Sequence, residues 1–183
     1  MAKDLKKAEQ AIREFLKHMG HDINREGLKE TPRRYVKFWN EFCTTPEFKF
    51  TTFKNEKVDQ MIIQHNIPFF SFCEHHLAPF FGTAAIAYVP NENKIVGLSK
   101  LARTLDLYAR GPQNQERIGT QVAERLQKEL SPKGVAVVLK ARHLCVEMRG
   151  VQKHDTWTTT SAMIGCFENE FNTRQEFLKL IEL

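Results

Sequence analysis

The sequence predicts an α+β fold: helices at the N-terminus, an antiparallel sheet, and two helices inserted between its hairpins. Apolar residues recur at helical spacing over residues 3–19 and again after Pro112, where Ile118, Val122, Leu126 and Leu130 repeat every four positions. Residues 82–89 alternate small and apolar side chains, and 135–139 is a continuous apolar run, the patterns of half-buried and buried strands. Pro90-Asn91-Glu92-Asn93 and Ser131-Pro132-Lys133-Gly134 supply the turns between them.

Taken in order, residues 3–19 place Leu5, Ala8, Ile12, Phe15, Leu16 and Met19 on one helical face, and Gly20 is a natural stop. Thr31-Pro32 reads as an N-cap and first-turn proline for a second helix carrying Tyr35, Val36, Phe38, Trp39 and Phe42, an aromatic packing face. Residues 44–59 read as a loop, so the chain divides into an N-terminal helical segment, 1–59, and a second domain, 60–183. Residues 61–67 form a strand that Pro68 ends. Residues 95–110 begin as a short strand and become a helix with Leu101, Leu105 and Tyr108 inward, and Pro112 opens the next helix. Residues 146–150 and 156–167 suggest two more strands. Thr173-Arg174-Gln175-Glu176 is a capping box for a terminal helix bearing Phe177, Leu178 and Ile181. A sheet with helices on one face leaves its other face and edges needing cover, which self-association supplies.

The composition bounds the function. With 183 residues, 42% hydrophobic and 27% charged, the chain has the balance of an ordinary globular domain, and no apolar run approaches a membrane span. The first residues lack a signal peptide's apolar stretch, so a cytoplasmic protein is expected. The formal charge of +5 favours an anionic partner. Because the basic residues are spread without a block or tail, a phosphorylated small molecule is expected rather than nucleic acid or a membrane. The four cysteines contain no Cys-x-x-Cys, which argues against a zinc ribbon.

The chemistry concentrates in Cys73-Glu74-His75-His76. Cys73 and His76 have the spacing of a ligand pair, and a thiolate with a neutral imidazole suits zinc. Cys145, in His143-Leu144-Cys145, is the obvious third donor, and three ligands leave one position open, as in hydrolytic metal centres. A Cys73–Cys145 disulfide is the alternative, disfavoured in a reducing compartment. Buried packing is the default for Cys43 and Cys166. A zinc nucleobase deaminase would carry His-x-Glu and Pro-Cys-x-x-Cys, and neither occurs.

Together with Gly97-Leu98-Ser99-Lys100, Pro112-Gln113-Asn114-Gln115-Glu116-Arg117, Gly134 to Val138 and Met148-Arg149-Gly150, these stretches resemble the GTP cyclohydrolase I family, from Thr31-Pro32 to Phe177. The resemblance implies a tunnelling fold assembled into a homodecamer with active sites between subunits. It also implies one zinc per subunit on Cys73, His76 and Cys145, and GTP as the partner. His75 and His143 would transfer protons, Ser99 would serve later sugar steps, and Gln115 and Glu116 would read guanine. Lys100, Arg103, Arg149, Arg34 and Lys37 would bind the triphosphate. The chain departs from the usual family pattern at Gly111, Asn114 and Gly119, where arginine, an apolar residue and threonine are common. The rival readings are a non-catalytic zinc-containing protein that binds a nucleotide or pterin, and another tunnelling-fold enzyme. The first would have no need of His75 and His143.

Overall fold

A computed structural model describes residues 3–45 and 47–182. The chain forms two compact units, Met1–Thr45 and Pro46–Leu183. In the first, α1 (Leu5–His18) is capped by Asp4, whose carboxylate accepts from the Lys7 amide at 3.1 Å, and the chain turns at Gly20 with φ +83°. A four-residue helix, α2 (Glu26–Lys29), precedes α3 (Thr31–Phe42), which packs on α1. Thr31 lies inside α3 rather than capping it: Glu30 holds the cap position, and the Thr31 hydroxyl donates to the Gly27 carbonyl at 3.3 Å. On the aromatic stripe of α3, Tyr35 stacks on Trp39 with centroids 6.2 Å apart.

The second unit begins ahead of the 59/60 boundary expected from sequence because residues 44–59 are not all loop. Within them β1 (Thr52–Lys54) pairs antiparallel with β4 (Lys94–Val96), tying the segment to the rest of the second unit. The main sheet contains β2 (Ile62–Cys73), β3 (Pro79–Val89), β5 (Pro112–Gln113), β6 (Gly134–His143) and β7 (Trp157–Gly165), in the order β5-β2-β3-β6-β7. All its pairings are antiparallel except β5 on β2. On one face α4 (Ser99–Ala109) and α5 (Gln115–Leu130) bury Leu101, Leu105, Ile118, Val122, Leu126 and Leu130 against Ile86, Tyr88, Val135, Val137 and Leu139. The alternation of β3 thus serves two cores. Ala85 and Ala87 face the other side, where with Ala136 they pack against Phe167 of α7 (Cys166–Asn169) and Phe177 of α8 (Phe171–Ile181). Helices therefore cover both faces, not one. No helix among the described residues is long and apolar enough to cross a membrane.

Four sequence expectations give way to tertiary context. Pro68 does not end β2, which runs on to Cys73 with Pro68 opposite Thr83. β5 flanks β2 only at Phe72 and Cys73, so Pro68 lies on open edge backbone where a missing N–H breaks no ladder bond. Pro112 forms β5 instead of opening a helix. Asn114 is the cap of α5, accepting from the Arg117 amide at 2.8 Å. Residues 146–150 are not a strand: α6 (Leu144–Glu147) begins directly after β6, and a turn follows. Thr173 is inside α8, its hydroxyl donating to the Glu170 carboxylate at 2.7 Å, so Glu170 and not Thr173 occupies the cap position.

Candidate metal centre and active site

The site is built from three strand ends. β2 delivers Cys73, and the chain turns sharply through Glu74, His75 and His76, closed by Leu77 N–H on the Cys73 carbonyl at 2.8 Å. Leu77 takes φ +52° to complete the turn. β3 returns with Phe80 opposite His143 of β6, and α6 then places Cys145. The imidazole of His143 stacks on Phe80, with centroids 4.6 Å apart and planes within 5°. Cys73 Sγ lies 3.7 Å from Nδ1 of His75 and 3.7 Å from Nδ1 of His76. The donor atoms of Cys73, His76 and Cys145 all lie within 4.8 Å of one another, and both cysteines are free thiols rather than a disulfide.

Electrostatics follow from burial. Desolvation, and after it the Cys73 sulfur, push the Cys145 thiol above its ordinary range, a preference that a bound cation reverses by stabilising the thiolate. Burial pushes His143 below the usual imidazole value against the opposing pull of Glu116 and Glu147, so its neutral form dominates at pH 7.

Two polar networks escaped the sequence reading. Arg117 grips Glu74 with both terminal nitrogens, at 2.7 and 3.0 Å, and also reaches Gln113 Oε1 at 2.9 Å. The Arg117 hydrogen bond holds the Glu74 carboxyl below the usual carboxylate range. Asn114 adds a bond to Glu74 at 3.2 Å, and the Glu74 amide donates to the Gln113 carbonyl at 3.0 Å. The turn carrying Cys73 and His76 is thereby fastened to the start of α5. Asn114 thus has a structural use, and so does Gly111: its φ of +147° is rarely adopted by L side chains, and its carbonyl accepts from Phe72 N–H at 3.2 Å. The second network is Arg142 on the buried carboxylate of Glu147, at 2.8 and 2.6 Å, which folds α6 back onto β6. Glu74 and Arg117 lay inside motifs already singled out. Their contact spans 43 positions, and no spacing rule reaches that far.

The remaining sequence candidates divide by environment. Glu116 is exposed in the first turn of α5, and its charge acts on His143. Ser99 and Arg103 are exposed on α4, and the Lys100 ammonium lies 5.8 Å from the Phe48 ring centroid. Arg149 is exposed just beyond α6, and its charge acts on Cys145. Arg34 and Lys37 are exposed on α3 of the first unit. Gln115 is the exception among residues expected to touch substrate. It is 1% exposed, and its amide nitrogen lies 3.0, 3.1 and 3.0 Å from Leu139 O, Thr158 O and Thr160 Oγ1. Its oxygen meets His143 Nε2 at 2.8 Å. Both ends of its amide are therefore engaged inside the protein.

Sulfur and nitrogen donors gathered within 4.8 Å of one another, two residues from a half-buried imidazole at the end of a sheet strand, are the equipment of a hydrolytic enzyme. Residues 8–182 match the family model for GTP cyclohydrolase I. The GTP cyclohydrolase 1 of Sulfurihydrogenibium sp. (strain YO3AOP1) is 49% identical over 182 residues, covering 99% of this chain and 97% of the relative. That of Aquifex aeolicus (strain VF5) is 49% identical over 183 residues, covering 100% and 99%. Among solved structures, the archaeosine synthase QueF-Like in the apo form aligns with TM-score 0.45 and 14% identity, over 57% of this chain and 93% of that one. The chain belongs to the GTP cyclohydrolase I family.

Proposed function

We propose that this protein hydrolyses GTP at purine C8, releases formate and rearranges the remainder to 7,8-dihydroneopterin triphosphate. This is the opening step of pterin and folate biosynthesis, carried out in the cytoplasm with one zinc ion per subunit. The observation that supports the reading is the convergence of Cys73, His76 and Cys145, with Cys145 two residues beyond His143, in a chain of this family. The donor set fits zinc: with bonds of about 2.0–2.3 Å, tetrahedral donors stand about 3.3–3.8 Å apart. The Cys73 Sγ to His76 Nδ1 distance is 3.7 Å. Zinc bound there supplies a Lewis acid and a strong nucleophile from water near neutral pH.

The chain's own residues supply the rest. His143, neutral through burial, takes a proton during addition at C8 and returns it on ring opening, with His75 as the second, exposed proton-transfer group. Glu116 accepts from the adjacent N1–H and amino group of guanine. Adenine lacks that donor pair and would leave the carboxylate unpaired. Ser99 serves the later sugar steps. Lys100 and Arg103, three apart on α4, share a face toward the triphosphate, and Arg149 adds charge on the Cys145 side. Arg34 and Lys37 complete the phosphate site from a neighbouring subunit of a decamer.

The test is turnover by zinc-analysed protein, following formate and the oxidised pterin's fluorescence, with ATP in parallel. Both products from GTP alone are expected. Zinc-loaded protein that binds GTP and releases no formate would favour a binding protein instead. Cys145→Ser is expected to lose stoichiometric zinc and at least about 100-fold in turnover, given that metal-bound water supplies the nucleophile. Full zinc occupancy in that variant would remove Cys145 from the ligand set.

A further inference from the structure

We infer that Gln115 is a positioning residue that fixes the tautomer and ring orientation of His143, and not a contact to the substrate base. The orientation of the amide is set by its surroundings. Leu139 O and Thr158 O can only accept, so the nitrogen of Gln115 must face them, at 3.0 and 3.1 Å. The amide oxygen is therefore the atom 2.8 Å from His143 Nε2, and it can only accept. His143 must carry its hydrogen on Nε2, whatever its charge. Nδ1 remains as the atom able to take a proton.

The ring has little freedom to escape this arrangement. Its face lies on Phe80 at 4.6 Å, and its edge is held by an amide that spans two strands, with Leu139 on β6 and both Thr158 and Thr160 on β7. Gln115 stands at the first position of α5, one residue after the Asn114 cap, so the helix start is a fixed point for the side chain. A tautomer chosen in this way means that the acid/base group need not sample the wrong proton position before each turnover. The inference rests on the reading that His143 transfers protons in GTP hydrolysis.

Two measurements on the zinc-loaded full chain test it. In 15N-histidine-labelled protein, solid-state NMR is expected to show His143, assigned by its loss in His143→Asn, protonated at Nε2. An Nδ1–H tautomer in the wild type would overturn the inference without any reference to activity or to a variant's folding. Kinetically, Gln115→Met is expected to lower kcat for GTP by about 10–100-fold, a fraction of what general acid–base catalysis supplies. KM should change less than about threefold, since no base contact is lost. Added to His143→Ala, the same substitution is expected to cost no further activity, because the two act as a unit. A raised KM with kcat retained, or an equal loss in both backgrounds, would return Gln115 to base binding or to a purely structural role. If the wild type shows the Nε2 tautomer and Gln115→Met loses it while GTP is not turned over at all, the positioning stands and the proposed reaction falls.

Discussion

Glu147 is a buried carboxylate whose two oxygens are both taken by Arg142, with Asp155 a further 3.3 Å partner of the same guanidinium. The Arg142 hydrogen bond holds the Glu147 carboxyl below the usual range. A depressed carboxyl contributes stability that is fully present above its unfolded pKa of about 4.3 and disappears as pH falls through the lower folded value. Glu147→Gln is therefore expected to be less stable than wild type at neutral pH, with the gap closing below about pH 4. Denaturant melts at several pH values check this, and a gap that stays constant with pH would mean the carboxylate's charge is not what holds α6. At this scale the Cys73, His76 and Cys145 cluster, able to hold a metal ion, was legible, because Cys73 and His76 are three apart and Cys145 lies close to another histidine. The bond from Gln115 to His143 was not, since it joins residues 28 positions apart that meet only when α5 lies across the sheet.

Elements with long, clean periodicity were legible, and short ones were not. The stripe Ile118, Val122, Leu126 and Leu130 of α5 is fully buried or nearly so, as its spacing implied. α6 carries Leu144, Cys145 and Val146 in four residues, too few to separate a helical turn from a strand, and the Arg142–Glu147 pair that ties it back to β6 has no sequence signal of its own. β2 was cut short because Pro68 reads as a terminator unless its flank is known to be open. Gly119 reads as a weak point in α5, and its setting shows how to repair it. A methyl group there would meet Ala162 Cβ at 3.7 Å and Leu139 Cδ1 at 3.8 Å, ordinary contact distances. Gly119→Ala is expected to stabilise the protein by about 0.5–1 kcal/mol through helix propensity. That corresponds to a rise in Tm of roughly 1–4 °C for a chain of this size. A lowered Tm in calorimetry would show that α5 packs more tightly on β6 and β7 than these distances imply.

For the whole molecule, the sequence conveyed the α+β class, while a three-residue strand, β1, draws part of the presumed linker into the second unit. Assembly is where Arg34 and Lys37 acquire their proposed purpose. If they serve a neighbour's triphosphate, Arg34→Ala/Lys37→Ala chains and His143→Ala chains, each nearly inactive, are expected to recover activity when unfolded together and reassembled. Some sites in the mixture would then combine an intact metal side with intact cations. Absence of recovery in mixed assemblies of confirmed composition would place both cations on their own subunit's site.

The pairing of β6 with β3 and β7 along its full length has a consequence for quality control. A slip of one residue would turn every side chain of β6 to the opposite face and set Arg142 or Leu144 across from Phe80 in place of His143. Such a chain would keep its helices and most of its sheet, and by circular dichroism it would pass for native. It would fail to gather the two thiols and the imidazole, and so could not hold the proposed zinc ion. If the proposed zinc binds, its retention after gel filtration reads strand register directly, sorting correctly threaded molecules from near-native ones before any substrate is added.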